Sequence, residues 1–254
     1  MKENNKILID YTTHLADNAL ILGQRNSEWC GHGPVLEQDI AITNISLDLI
    51  GQARSLYQYA AQLQGNGATE DSLAYLRNER EFKNCLLVEL PKGDWAQTIT
   101  RQFFFSTYQL LLYSHLKQST DATLAAIAEK SLKEVTYHVR WSSEWVIRLG
   151  DGTEESQSRM QKAIADLWPF TGELFIPADY ETAAAKEGFG VDVPALRESW
   201  QQKINEIFSE ATLASPPPGA WSQSGGKNGM HTENLGYILA ELQYMQRAYP
   251  GMEW

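Results

Sequence analysis

An all-α helical bundle is the fold class this sequence predicts, and three observations carry it. Apolar residues recur every three or four positions over four long stretches, glycine and proline gather in the gaps between them, and no run alternates with the two-residue period of a strand. At 254 residues and 43% hydrophobic composition the chain is long enough to bury a sizeable core.

The first stretch, residues 7–24, places Leu8, Tyr11, Leu15 and Leu22 near one face of a helix. The segment from Glu28 to Pro34 (EWCGHGP) breaks it. From 36 to 64 there is no proline and Gly51 is the single glycine, while Ile42, Ile45, Leu49, Ala53, Leu56, Ala60 and Leu63 step by three or four. A second stripe of Ile40, Leu47, Ile50 and Tyr57 makes this helix apolar on more than one side, which predicts an interior position and a length of about 40 Å. Gln64-Gly65-Asn66-Gly67 ends it, and residues 69–88 read as a mixed segment with short helices at most.

Pro91-Lys92-Gly93-Asp94 supplies a turn and an Asp cap for a third long helix over 95–117. Its consecutive Phe103, Phe104 and Phe105 require apolar surroundings over a wide arc, so it too is expected to be central. Asp121 caps a fourth helix, in which Ala128, Val135, Ser142 and Leu149 alternate with Leu132, Val139 and Val146 in a heptad-like pattern. Gly150-Asp151-Gly152 stops it. Shorter helices are expected over 154–167, 178–186 and 194–214, then a rigid connector with three prolines over 215–219, a flexible loop over 224–229 and a last helix over 232–248. The simplest organisation is a single domain over 1–254, with a core bundle at about 7–150 and wrapping helices at about 153–254.

Composition excludes several functions. Lys+Arg number 21 against 32 Asp+Glu, a net charge of -11 with no basic cluster, so a nucleic-acid partner is not expected. Apolar runs such as Leu110 to Leu112 fall far short of the roughly 20 residues that span a bilayer. Lys2, Glu3, Lys6, Asp10 and Asp17 interrupt the first twenty residues, which therefore do not read as a secretory signal. Cys30 and Cys85 lack metal-ligand spacing and read as reduced thiols of a cytoplasmic protein.

Four long helices invite a test for the carboxylate-bridged di-iron centre of ferritin-like proteins. That centre takes a Glu from each of two helices and a Glu-x-x-His pair from each of the other two. Residues three apart share a helix face, and hard metal ions need several oxygens plus imidazole. The histidines are His14, His32, His115, His138 and His231, so the second helix has none, and residues 95–120 contain no Asp or Glu. Three positions before His138 stands Val135, with Glu134 turned about one position away. A standard di-iron site is therefore not expected.

Asn44, Asp48, Glu134 and His138 are instead expected to form a buried polar cluster that replaces a metal site. A buried carboxylate must be paired or protonated, so Asp48 should hold an Arg or His partner. Asp10, His14 and Asp17 share a face of the first helix, read as solvated. His231-Thr232-Glu233 reads as a helix start with Thr232 capping. Gly225-Gly226-Lys227 lacks the preceding strand of a phosphate loop, and no nucleophile elbow is present.

Longer strings point to a family. Glu28-Trp29-Cys30-Gly31-His32 and the run from Asp39 to Arg54 (DIAITNISLDLIGQAR) are similar to the family of C subunits of bacterial phenylacetyl-CoA 1,2-epoxidase. So are Lys133-Glu134 with Tyr137-His138, and the tail that carries Gly225-Gly226-Lys227, Gly229, His231-Thr232-Glu233, Leu235-Gly236, Ala240-Glu241, Gln243-Tyr244, Gln246-Arg247, Pro250-Gly251 and Trp254. The resemblance runs from about Leu8 to the C-terminus. It implies a ferritin-like fold and a cytoplasmic, non-catalytic structural subunit that supports a separate catalytic subunit. In that family the catalytic partner holds the di-iron site, binds phenylacetyl-CoA and activates O2, and a reductase subunit brings electrons from NADPH. Implied partners are the catalytic subunit and other epoxidase subunits, with a homodimer when the chain is alone. No catalytic, metal or cofactor-binding residue carries over. Two alternatives stand beside this reading: an oxygenase with its own degenerate centre built from Asp48, Glu134 and His138, with Asp17 as an optional fourth ligand, or an independent helical scaffold.

Overall fold

A computed structural model describes residues 3–217 and 219–252; Lys2, Pro218 and Trp254, used above, lie outside them. Eleven α-helices and several short 3-10 turns make up the described residues, with no strand among them. The long helices are α1 (Glu3–Ser27), α2 (Leu36–Gln64), α5 (Trp95–Leu116) and α6 (Ala122–Gly150). Between α2 and α5 lie α3 (Glu70–Tyr75) and α4 (Leu86–Glu89). After α6 come α7 (Glu154–Leu167), α8 (Asp179–Lys186), α9 (Arg197–Glu210), α10 (Glu233–Leu242) and α11 (Tyr244–Ala248).

The contacts gather into two compact units, each built from separated stretches of chain. One comprises the described residues of Met1–Pro91, Ala178–Glu187 and Gly225–Trp254; the other comprises Lys92–Pro177 and Gly188–Ser224.

In the first unit α1 and α2 pack antiparallel. Asn5 Nδ2 donates to the Leu63 carbonyl at 3.1 Å at one end, and at the other a Cβ on Gly23 would stand only 3.3 Å from that of Leu49. The missing side chain lets the two backbones approach. Helix α2 starts after Val35 without a side-chain cap, but Glu37 and Asp39 in its first turn favour the positive end of its dipole. The segment from 69 to 89 makes only short helices, as its composition predicts.

In the second unit α5 and α6 pair, and α7 and α9 pack on both. Asp94 caps α5 by accepting from Gln97 N at 3.0 Å, and Asp121 caps α6 by accepting from Thr123 N and Leu124 N. Phe103, Phe104 and Phe105 are all buried. Phe104 meets Trp168, Trp200 and Phe208 at ring separations of 5.7 to 6.1 Å. Trp200 Nε1 donates to the Phe104 carbonyl at 2.9 Å, so its polar edge is satisfied inside this aromatic core.

The structure corrects several expectations. The second stripe of α2 does not lie inside: Ile40, Leu47 and Ile50 are exposed, and of that set Tyr57 alone is buried. Helix α1 covers only one side of α2, and the periodicity reports an apolar face without saying what covers it. The expected helix over 194–214 begins as a 3-10 turn (Val193–Leu196) and ends at Glu210. The last helix is interrupted at Gln243, whose amide donates to the Ala74 and Arg77 carbonyls. The loop at 224–229 is not a free linker, because Gly225, Gly226 and Lys227 are buried. Gly226 lies against the Asn84 carbonyl so closely that a side chain would collide with it.

Candidate functional site

The four residues expected to form one buried cluster divide between the units. Asn44 and Asp48 lie on α2 in the first; Glu134 and His138 lie on α6 in the second. His138 is fully buried, Asp48 and Glu134 are half-buried, and Asn44 is exposed. The burial expected for Asn44 is thus wrong, for it stands beside the exposed Ile40 and Leu47 on the outer side of the helix.

The donor set of the second unit does not fit a pair of metal ions. Helix α5 presents Thr98, Thr100, Arg101, Gln102, Ser106, Thr107 and Gln109 as its buried polar residues, a set without a carboxylate and with one guanidinium. Val135 is completely buried where Glu would be needed. Among the described residues no group of three or more His, Cys, Asp or Glu is placed to hold a metal.

The first unit holds charged chemistry that the sequence alone places in solvent. His14 and Asp17, expected on a solvated face, are both fully buried. Asp17 Oδ1 accepts from the Tyr57 hydroxyl at 2.5 Å and from Arg77 Nη2, while Oδ2 accepts from Arg77 Nη1 at 3.0 Å and Lys83 N at 2.7 Å. The carboxylate is thereby clamped bidentately, the strongest form of this pair. The Arg77 guanidinium also lies 4.1 Å from the Phe82 ring centroid. Burial and then the Asp17 charge push the Tyr57 hydroxyl well above its ordinary range, so it stays a neutral donor. Burial opposes the charge on Arg77, but Asp17 outweighs it and raises its pKa.

A second charged group fixes two late segments of the chain. Lys227 Nζ donates to Glu181 Oε2 at 3.0 Å and Oε1 at 3.1 Å, both side chains being nearly inaccessible. His14 Nε2 stands 3.4 Å from Glu181 Oε1, and its Nδ1 faces the Lys83 carbonyl at 2.6 Å. Glu181 Oε2 accepts from Ala178 N at 2.8 Å, which caps α8. Burial raises the Glu181 carboxyl, but the charges of His14 and Lys227 reverse this and hold it at about 2.

The third group centres on Glu89. Its carboxylate accepts from His231 Nδ1 at 2.7 Å, Thr232 N at 2.6 Å and Asn84 Nδ2 at 2.8 Å. The other His231 nitrogen faces the Phe82 carbonyl at 3.0 Å, so both ring nitrogens point at acceptors. Burial lowers the His231 pKa, yet the Glu89 hydrogen bond and charge outweigh it and the net shift is upward. Thr232 caps α10 as its position predicts, accepting from Asn234 N.

These carboxylates accept from buried basic side chains and N–H groups, an arrangement that ties distant segments of the chain together. Judged by their own polarity, His14 and Asp17 look solvated. The signal that could have placed them is their surroundings: from Tyr11 to Leu22 no Lys, Arg or Glu appears, unlike the mixed charges of a solvated face.

Fold and buried chemistry together define an all-α, ferritin-like chain with buried ion pairs that join distant segments. The whole chain, residues 1–254, matches the family described as phenylacetic acid catabolic protein, and it belongs to that family. It is 49% identical over 247 residues to the C subunit of 1,2-phenylacetyl-CoA epoxidase of Escherichia coli strain K12, a match that covers 97% of this chain and 99% of that protein.

Proposed function

We propose that this chain is the non-catalytic structural subunit of a multicomponent phenylacetyl-CoA epoxidase, acting in the cytoplasm in aerobic phenylacetate breakdown. The observation that carries the reading is the near full-length identity to the C subunit of such an epoxidase. The donor set supports it: an α5 without carboxylates and a buried Val135 leave no recognisable ligand pattern for a di-iron pair. The partner is then the catalytic subunit, which would hold the iron and the CoA thioester, with NADPH electrons delivered to it by a reductase. The described helices include none long and apolar enough to cross a membrane, which is compatible with this setting.

For an oxygenase with a centre of its own, Asp17 is a poor optional fourth ligand, because its two oxygens already accept four hydrogen bonds. Metal analysis of the purified chain, alone and then with its catalytic partner, tests the proposal. Iron should be found only in the sample that contains the partner. About one or two equivalents of iron in the chain alone would overturn it.

A further inference from the structure

The outer side of α2 carries a line of apolar residues that the described residues leave uncovered. Val35, Leu36, Ile40, Leu47 and Ile50 are exposed by between 37 and 71%. From Leu36 they follow the positions 36, 40, 43, 47 and 50, alternating steps of four and three with Thr43 in the middle. That is the 3.5-residue period of a helix–helix seam. The line is about 21 Å long, four turns of a partner helix. Just past it stands Gly51, exposed in mid-helix with nothing near its Cβ position. A glycine there costs the isolated helix stability and permits close approach of another backbone.

The charge around the line says what kind of helix fits. From Glu28 to Gln64 the acids are Glu28, which pairs with Arg25 at 2.7 Å, and Glu37, Asp39 and Asp48, while Arg54 is the single Lys or Arg of that stretch and pairs with Glu70 at 2.9 Å. A second copy would bring the same acidic border, from a chain of net charge -11. The exposed apolar area is on the order of 400 Å², within the range of functional patches and about half of what one partner buries in a stable interface.

We infer that this face of α2 is the docking surface for an amphipathic helix of the catalytic subunit, one with Leu, Ile or Val at 3.5-residue spacing and Lys or Arg along its edges. This deepens the proposed function and rests on it. The test measures binding of the full chain to the catalytic subunit for the wild type, Leu47→Glu, the milder Leu47→Gln, and Tyr244→Glu as a control at an exposed position on α11. Leu47→Glu should raise the apparent Kd at least tenfold and Leu47→Gln severalfold, while Tyr244→Glu binds as wild type. Reversal of the border by Glu37→Lys with Asp48→Lys should weaken binding and flatten its salt dependence. Because Leu47 is exposed, the variants should keep the wild-type melting temperature; if Leu47→Glu does not fold, Leu47→Gln decides. Wild-type binding with undiminished affinity for the Leu47 variants would overturn the surface and leave the subunit reading intact. Failure of the wild-type chain to bind would overturn both. Loss of self-association in Leu47→Glu with the mixed complex unchanged would overturn the proposal by assigning the face to a second copy.

Discussion

The two units hold discontinuous stretches of chain together with different described contacts, although the second also buries the charged Arg101 and Glu173. In the second, α5 and its neighbours meet through an aromatic cluster of Phe103, Phe104, Trp168, Trp200 and Phe208, with Trp200 making one directed bond. In the first, the segments at 77–89, 178–187 and 225–232 are pinned to α1 through Asp17, His14, Glu181 and Lys227, and to one another through Glu89 and His231. The apolar burial in such a cluster is non-directional and tolerates exchange of similar shapes, although ring pairs keep preferred orientations. Buried ion pairs are not a cheap source of stability, but they have large consequences when one partner is lost. Two units of one all-α chain should therefore respond to mutation in different ways.

The largest effect is expected at Asp17. Asp17→Ala leaves Arg77 buried without its counter-charge and should cost about 3–5 kcal/mol, read as the shift in a denaturant midpoint. Asp17→Asn keeps the shape and should still cost most of that. By contrast Phe208→Leu, an apolar exchange in the aromatic cluster, should cost roughly 1.5 kcal/mol or less. Equal losses at the two sites would break the comparison.

The pair of Glu181 and Lys227 sharpens it. Lys227→Met or Glu181→Leu alone should destabilise by about 3–5 kcal/mol, whereas the two combined should lose clearly less than the sum of both. A double-mutant cycle that is additive would refute the coupling.

Titration gives the first unit a signature at both ends of the pH range. The Glu181 carboxyl is held at about 2, below its ordinary 4.5, so its contribution is complete above 4.5 and is lost as pH falls toward 2. His231 is raised above its ordinary 6.5, so its contribution is complete below 6.5 and is lost as pH rises through the higher folded value. Glu181→Gln should therefore flatten the acid limb of stability against pH, and His231→Gln the alkaline limb. An acid limb unchanged in Glu181→Gln would contradict the assignment.

Smaller effects than those at Asp17 and Glu181 concern the residues expected from sequence to replace a metal. His138→Ala should lower the thermal midpoint by about 1–3 kcal/mol equivalent, since His138 is fully buried. Asp48→Ala, at a half-buried position, should cost under about 1 kcal/mol. Turnover per intact complex should stay near wild type for His138→Ala, and a hundredfold loss would make it chemistry.

The long helices are legible in the sequence because their signals are local. Period, an Asp at each of positions 94 and 121, and glycines after 64 and 150 name the ends of α2, α5 and α6 within a residue or two. The absence of metal-ligand spacing is equally local, a matter of Val135 and an acid-free stretch. What escapes is non-local. His14 meets Glu181 from 167 positions away, and Glu89 meets His231 across 142. No periodicity within a helix reports such partners, so buried charges on α1 pass for solvated ones and the exposed line on α2 passes for core.

If this chain contributes structure and partner contact while the reaction belongs to the catalytic subunit, the most direct measurement is a titration of turnover. Phenylacetyl-CoA is supplied to the catalytic subunit and reductase with NADPH and O2, and this chain is added stepwise. Activity should rise and saturate at a fixed ratio of the two subunits, and this chain with the reductase alone should give none. Oxygenation of phenylacetyl-CoA by this chain and reductase, with added ferrous iron and no catalytic subunit, would contradict it.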